Sequence, residues 1–274
     1  MTNETTELII NEYLSGTKIT EMISKFNLSK YILTKTLKKN NVVVKNTTNQ
    51  IDENYFENID SSDKAYWLGL LYADGYISEF KTRKGKQVTE YKFSLGLSGE
   101  DDYLINEFRE DLKSNHKIVI VQAQNKARKI DGKIINREKQ TRLDIYNKKM
   151  FNDLCKLGLE PRKSQTCKLP EIIKDSEYFS DFVRGYFDGD GWVYGKSKIG
   201  MIGSVEFIDD LVFELEKRNI QSTVKLEKRS DNMKYITIRS NSKKSFFEFL
   251  YPENKNRYMK RKYDYYNSLI ISQS

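Results

Sequence analysis

The sequence reads Trp-Leu-Gly-Leu-Leu-Tyr-Ala-Asp-Gly at 67–75 and Val-Arg-Gly-Tyr-Phe-Asp-Gly-Asp-Gly at 183–191. Each stretch is a helical run that stops at an Asp-Gly, Asp74-Gly75 in the first and Asp190-Gly191 in the second. Each also carries small residues one turn apart, Gly69 with Ala73 and Gly185 with Gly189. Small residues at i and i+4 make a flat strip, and two such strips let two helix backbones approach closely. Packed side by side and parallel, the two helices bring Asp74 and Asp190 together. A carboxylate at a helix C-terminus faces the negative end of the helix dipole and unpaired carbonyls, so two of them side by side suit a hard divalent cation. A single Asp-Gly reads as a helix stop; the repetition makes a paired-carboxylate site the expectation. Asp188-Gly189-Asp190-Gly191 does not open a calcium loop of the EF-hand type. Counted from Asp188, positions five, six and twelve are Trp192, Val193 and Ile199, where that loop needs an oxygen ligand, Gly and Glu.

Both stretches resemble the LAGLIDADG motif of homing endonucleases, and a chain with two copies resembles the single-chain, pseudo-symmetric members of that family. The resemblance implies a site-specific double-strand DNA endonuclease with Asp74 and Asp190 as catalytic carboxylates. It implies Mg2+ (or Mn2+) as cofactor, held by these two and by the backbone carbonyls of Ala73 and Gly189. It also implies two four-stranded sheets shaped as a saddle in the DNA major groove, and staggered cuts with 3′ overhangs. Two features depart from the pattern. Tyr72 stands where the motif often has Asp, a place that Asp188 fills in the second copy. Family members often end the second strand of each repeat with a basic residue, and the matching positions here are Ser98 and Ser204. Lys163, in Pro161-Arg162-Lys163-Ser164, is the candidate from elsewhere for that pocket.

Composition narrows the function classes. Across 274 residues, 47 Lys plus Arg against 39 Asp plus Glu give a formal charge of +8. That balance points to a polyanionic partner, nucleic acid ahead of membrane. No uninterrupted apolar stretch reaches membrane-spanning length and residues 1–20 do not read as a signal peptide, so the expected location is the cytoplasm, or an organellar matrix if organelle-encoded. Cys155 and Cys167 lack zinc-ligand spacing and read as reduced thiols. The single His116 leaves nothing from which to build a Ser-His-Asp hydrolase, a His-metal nuclease or a multi-histidine zinc site. His116 itself reads as a strand-edge residue. Protein splicing is not expected of a chain that starts at Met1 and ends at Ser274 without a terminal Asn preceded by His.

Residues 1–46 read as three short helices. Leu8, Ile9, Tyr13 and Leu14 recur at helical spacing, a second helix fits Ile19 to Phe26, and Ser29 caps a third from Lys30 to about Lys39 that buries Ile32, Leu33 and Leu37. The tight turn between the last two resembles a helix-turn-helix of the resolvase type. Lys30 and Lys35 are its candidate DNA contacts; a small dimerisation or capping module with a solvated basic face is the blander reading. Residues 47–62, poor in apolar side chains, read as a linker. Residues 63–160 then form a first repeat, and 161–274 a second with a basic C-terminal tail, for which a surface helix lying over the domain is preferred.

Within each repeat the periodicity gives helix, two strands, helix, two strands, helix. The fold class is therefore α+β, with two pseudo-symmetric αββαββα repeats and a small all-α N-terminal module. The motif aspartates are 116 positions apart (74 to 190), whereas the Lys-Lys pairs that open the last helices are 95 apart (148 to 243), so the first repeat is 21 residues longer. The excess lies in the hairpin turns 81–88 and 123–140, the second of which carries Lys126, Arg128 and Lys129. Candidate DNA-facing strand residues are Lys92, Ser94, Thr141 and Asp144 in the first repeat and Lys225, Glu227, Thr237 and Arg239 in the second. Unequal repeats predict a long, non-palindromic site bound by a monomer. The alternatives are a DNA-binding regulator that keeps the fold without catalysis and an intron maturase that binds RNA; a helix-turn-helix favours duplex DNA.

Overall fold

The structure, a computed structural model, describes residues 2–42, 44, 49–84, 86–122, 128–130, 133–135, 139–161, 166–194, 198–228, 230–253 and 255–271, with side chains at 81–88 and 123–138 outside the description. The chain divides into two units, Met1–Asn49 and Gln50–Ser274.

The first unit holds helices α1 (Asn3–Leu14), α2 (Ile19–Phe26) and α3 (Lys30–Lys39). Ser29 caps α3, its hydroxyl accepting the Ile32 N–H at 3.3 Å, and Asn27 makes the turn with a left-handed φ of 52° that Asn tolerates better than most residues. Ile9, Met22, Leu33 and Leu37 form the buried core. Ile32, expected inside, is exposed, and Thr36 is buried instead. The inward stripe of α3 runs through 33, 36 and 37, the three-and-four spacing of one helix face. Leu8 likewise points outward while its neighbour Ile9 is buried.

The second unit opens with α4 (Ser62–Asp74), β1 (Gly75–Lys84), β2 (Lys86–Ser98), a 3-10 turn at Gly99–Asp102 and α5 (Tyr103–Asp111). It continues with β3 (Ile118–Val121), β4 (Arg128–Ile130), β5 (Lys133–Ile135), β6 (Gln140–Tyr146) and α6 (Lys148–Lys156). After the short α7 (Glu171–Lys174) come α8 (Phe179–Asp190), β7 (Gly191–Tyr194), β8 (Lys198–Ser204) and α9 (Val205–Glu216). The chain ends with β9 (Ser222–Glu227), β10 (Ser230–Ile238), α10 (Lys243–Leu250) and α11 (Lys260–Ile271). The expected αββαββα series appears twice. The β4–β5 ribbon lies in the longer hairpin of the first repeat, and β1 and β2 extend to residues 84 and 86.

Two antiparallel four-stranded sheets result, ordered β1-β2-β6-β3 and β7-β8-β10-β9, the same path in each repeat. Strand alternation buries one face of each: Phe93, Leu95, Leu97, Leu143 and Ile145 in the first, Ile199, Met201, Ile236 and Ile238 in the second. Thr141 shares the phase of Leu143 and Ile145 and is buried with them, so it lies on the core side of the sheet and not on the open face expected of it. The period of two forbids residues 141 and 144 from sharing a face; the open side of β6 carries Arg142 and Asp144.

Residues 52–59, read from sequence as part of a linker, belong to this core. Tyr55, Phe56 and Ile59 are buried, the Asp52 N–H donates to the Leu112 carbonyl at 2.9 Å, and Phe56 packs edge-on against Phe93 at 6.3 Å. Few apolar residues stand here, but they are large and they face inward.

Helices α4 and α8 are buried on nearly every side, from Ala65 to Tyr72 and from Asp181 to Asp188, and the polar stripe of α8, Asp181, Arg184 and Asp188, is buried with the rest. A Cβ added at Gly69 would stand 2.0 Å from the Phe182 carbonyl oxygen, one at Gly185 2.0 Å from that of Tyr66, and one at Gly189 2.2 Å from the Ala73 Cβ. Contacts that advance together along both helices mean that they run parallel. Gly185→Ala must push the backbones apart, and the expected cost is about 1–3 kcal/mol, read as a lowered midpoint in thermal denaturation. An unchanged midpoint would show that the helices do not touch there.

Candidate active site at the paired helix ends

Each motif helix passes straight into a strand. Gly75 (φ −74°, ψ 149°) and Gly191 (φ −86°, ψ 157°) are both extended. A Cβ on either would lie 2.4 Å from the carbonyl oxygen four residues back, that of Leu71 or of Phe187. Glycine is required because the chain folds back against its own last turn as it enters the sheet.

The parallel packing sets the two aspartates at neighbouring ends. The Asp74 carboxylate is exposed, and its Oδ2 lies 3.0 Å from where a Cβ on Gly189 would sit, against the last turn of the other motif helix. Asp190 is half-buried, and the pKa of the nearby Tyr186 is raised by burial first and by the charge of this carboxylate second. Tyr186 donates to the Ile202 carbonyl at 2.7 Å.

Beneath the aspartates is a residue that the sequence did not reveal. Lys262, on α11, is buried, and its ammonium donates to the carbonyls of Phe187 (2.8 Å), Gly189 (3.3 Å) and Gly191 (2.6 Å) at the end of α8. A cation there meets the negative end of the helix dipole. Burial pulls its pKa down to about 8 against the opposing attraction of Asp188, Asp74 and Asp190. Asp188, also buried, accepts from the Tyr66 hydroxyl at 2.9 Å and the Met259 N–H at 2.7 Å. Burial lifts its pKa to about 6, with Lys262 opposing. The corresponding Tyr72 donates to the Leu157 carbonyl at 2.6 Å. The two unlike motif residues thus share a packing role, which explains why Tyr serves in place of Asp.

The C-terminal segment that delivers Lys262 is a strap and not a free basic tail. Arg184 of the second motif donates to the carbonyls of Arg257 and Leu250 at 2.8 and 2.9 Å. Arg257 and Arg261 reach back to the first repeat, to Asp111 at 2.9 Å and Asp101 at 2.7 Å. The surface helix preferred for this region is present as α11, anchored inward by Lys262 and Tyr266.

The donor set at the helix ends fits a hard divalent cation. Among the described residues no group of three or more His, Cys, Asp and Glu gathers as a complete metal cage. Magnesium, however, is commonly bound by one or two carboxylates plus water and substrate phosphate, which a pair supplies. Of the two carbonyls expected to assist, that of Gly189 already receives Lys262, and its second lone pair remains for another partner.

The remaining expected contacts distribute unevenly. Lys92 and Arg142 both pair with Asp144, at 3.0 and 2.9 Å. Ser94 has the open-face phase but is buried between its register partners Tyr76 and Asp144. Lys225 and Thr237 stand on the open face of the second sheet and Arg239 is exposed just beyond β10. Lys30 and Lys35 are exposed on α3, Lys35 with its ammonium 5.6 Å from the Tyr31 ring centre. Ser98 is exposed at the end of β2. Ser204 is not available to a pocket: it is buried, accepts the Phe207 N–H at 3.2 Å as the cap of α9, and donates to the Cys167 carbonyl. Lys126 and Lys163 lie outside the described residues, as do the side chains of Arg128 and Lys129. His116 is buried before β3, its Nδ1 2.7 Å from the Ser114 hydroxyl, with its pKa lowered by burial.

A family model described as LAGLIDADG-like domain matches residues 177–251. The replication factor C small subunit of Methanocaldococcus jannaschii is 31% identical over 187 residues, 66% of this chain but 9% of that protein. The chain therefore spans under a tenth of that relative. Among solved structures, I-DmoI in complex with DNA and Ca aligns over 79% of this chain and 99% of its own, at a TM-score of 0.54 and 15% identity. Meganuclease I-SmaMI bound to uncleaveable DNA aligns over 75% of this chain and 88% of its own, at 0.51 and 11%. At such identity these structures speak for the fold, two four-stranded sheets over a parallel helix pair. The second repeat thus matches the LAGLIDADG-like family model over residues 177–251, and the first repeat follows the same order of elements around the other motif copy.

Proposed function

We propose that the protein is a metal-dependent endonuclease that cuts both strands of duplex DNA at a long, non-palindromic site. The observation that carries this reading is the meeting of Asp74 and Asp190 at adjacent ends of parallel helices, where both sheets begin. Mg2+ or Mn2+ would be held by Asp74 and Asp190 with help from the carbonyls of Ala73 and Gly189, neutralising charge on the phosphoryl oxygens and lowering the pKa of a bound water. The I-DmoI structures in complex with DNA and Ca or Mn support a divalent ion and a DNA partner.

The rest is done by the chain. The glycine contacts fix the spacing of the two carboxylates. Lys262 offsets negative charge at the end of α8 and holds its carbonyls in place. Chemistry is confined to the second unit; the first acts as a helix-turn-helix that presents Lys30 and Lys35 on α3 to phosphates. The protein works as a monomer in the cytoplasm or an organellar matrix.

A chain shortened to begin at Gln50 is expected to cut at low salt, with weaker binding. Lys30→Ala and Lys35→Ala in the full chain each lower the slope of log affinity against log salt by about one unit, as measured by a salt titration. A folded, shortened chain that cuts at no salt concentration would place the first unit inside the catalytic machinery.

A further inference from the structure

Helix α3 gives Leu33, Thr36 and Leu37 to the core of the first unit. Its opposite face therefore carries Tyr31, Lys35 and Lys38, four and three positions apart, with Ile32 and Lys39 at its margin. All five are exposed, Tyr31 at 69% and Ile32 at 41%, and the Lys35 ammonium stands 5.6 Å from the centre of the Tyr31 ring. From Met22 to Ile51 the sequence holds six lysines and neither Asp nor Glu. With a core of four fully buried residues, Ile9, Met22, Leu33 and Leu37, so small a unit has reason to bury its large apolar side chains. Tyr31 and Ile32, side by side in the first turn of α3, are spared for the surface instead. Helix α1 also exposes Leu8 and Leu14, but beside the exposed acids Glu4 and Glu7, where a polyanion is repelled.

Lysines alone suit any polyanion, since contacts to phosphate fix position and carry no sequence information. Two apolar side chains among them add a different capacity. The first residues of a recognition helix meet base edges in the major groove, where a tyrosine hydroxyl can donate or accept a hydrogen bond and an aliphatic group can cover a methyl. An anionic membrane also attracts lysines beside apolar groups, but a helix that lies on a membrane commits its whole apolar face to it. Here that face is spent on the core, and two side chains remain.

We infer that α3 reads base sequence, Tyr31 and Ile32 touching base edges while Lys35, Lys38 and Lys39 hold the flanking phosphates. The target then contains a block of specified base pairs owed to the first unit, in addition to those read by the second. This rests on the duplex-DNA reading above and adds to it the residues by which the first unit contributes selectivity as well as affinity.

The test selects duplexes bound in chelator from a random-sequence pool, by the wild-type full chain and by the full-length double variant Tyr31→Ala with Ile32→Ala. Both side chains are exposed, so their truncation leaves the core of the unit intact, which an unchanged helical circular dichroism signal checks. The wild type is expected to specify base pairs that the double variant no longer does, while the rest of the selected site is common to both. Substituting a base pair of that block should weaken the wild type about fivefold or more and leave the double variant unaffected, as read by fluorescence anisotropy. The slope of log affinity against log salt should be unchanged in the double variant. It should fall by about one unit per lysine removed in Lys38→Ala with Lys39→Ala, which should keep the whole selected site. A double variant that retains every specified base pair, or that loses all of them at once, overturns the inference and leaves the duplex-DNA reading standing. Binding to phosphatidylserine vesicles that the double variant loses, with its duplex selection unchanged, overturns it in favour of a membrane surface. Failure of the wild type to retain any duplex overturns both.

Discussion

Asp74→Asn and Asp190→Asn should each abolish double-strand cleavage while DNA binding persists. Asparagine keeps the volume of the side chain and the end of the helix but removes the charge, and with it the hardest oxygen ligand available to a divalent cation. Both carboxylates face one crowded helix junction, with Asp74 against the position of Gly189, so loss of either is felt by the whole site. Cleavage is expected to fall at least about a hundredfold, since even groups that only orient metal ligands are worth about 10–100-fold. Affinity for DNA should hold or rise, because a negative charge facing phosphate has gone. Gel shift beside cleavage of supercoiled plasmid carrying the site measures both. Wild-type cutting by either variant would reduce the repeated motif to a helix-packing device, and binding lost in step with cutting would assign the aspartates to the fold.

Lys262→Met should strongly destabilise the second unit. The ammonium is buried on the carbonyls of Phe187, Gly189 and Gly191 and faces the buried Asp188. Methionine fills the space and supplies no donor, leaving helix-end carbonyls and a buried carboxylate without their cation. A buried acceptor left without its donor costs about 1–3 kcal/mol, and with three carbonyls affected the expected loss is about 3–5 kcal/mol. For a unit of this size that is a fall in midpoint of roughly 6–20 °C, at about 2–4 °C per kcal/mol. The double variant Lys262→Met with Asp188→Asn should recover part of the loss, because the unpaired charge is removed with its partner. Thermal melts of the wild type, both single variants and the double form the cycle. Additive losses would show that Lys262 and Asp188 are not coupled.

Much of the architecture was legible because it is written locally and twice. The strips Gly69 with Ala73 and Gly185 with Gly189 announced a close parallel pair, and strand alternation announced two sheets of equal order. Local rules fail where phase decides: Thr141 cannot share a face with Asp144 three positions away, and Thr36, not Ile32, holds the inward place on α3. The average polarity of residues 52–59 is that of a linker and hides the buried Tyr55 and Phe56. Lys262 was beyond such reading. It lies 71 positions after Gly191, whose carbonyl it binds, in a basic stretch whose neighbours Lys260 and Arg261 point elsewhere. Only the path of the strap brings it under the motif. The serines at 98 and 204 point to a missing basic pocket group, but on the second strands and not on the last helix.

The proposed role of the paired helix ends is cleavage of duplex DNA with a divalent cation. It is tested most directly by incubating the full chain with a random-sequence duplex library, with Mg2+ and with Mg2+ plus chelator, and sequencing the new ends. The predicted result is a set of ends that converge on one long, non-palindromic sequence, staggered with 3′ overhangs, and that vanish with chelator. Cutting that persists in chelator, or a library left intact at every Mg2+ concentration while duplexes are still bound, would contradict it.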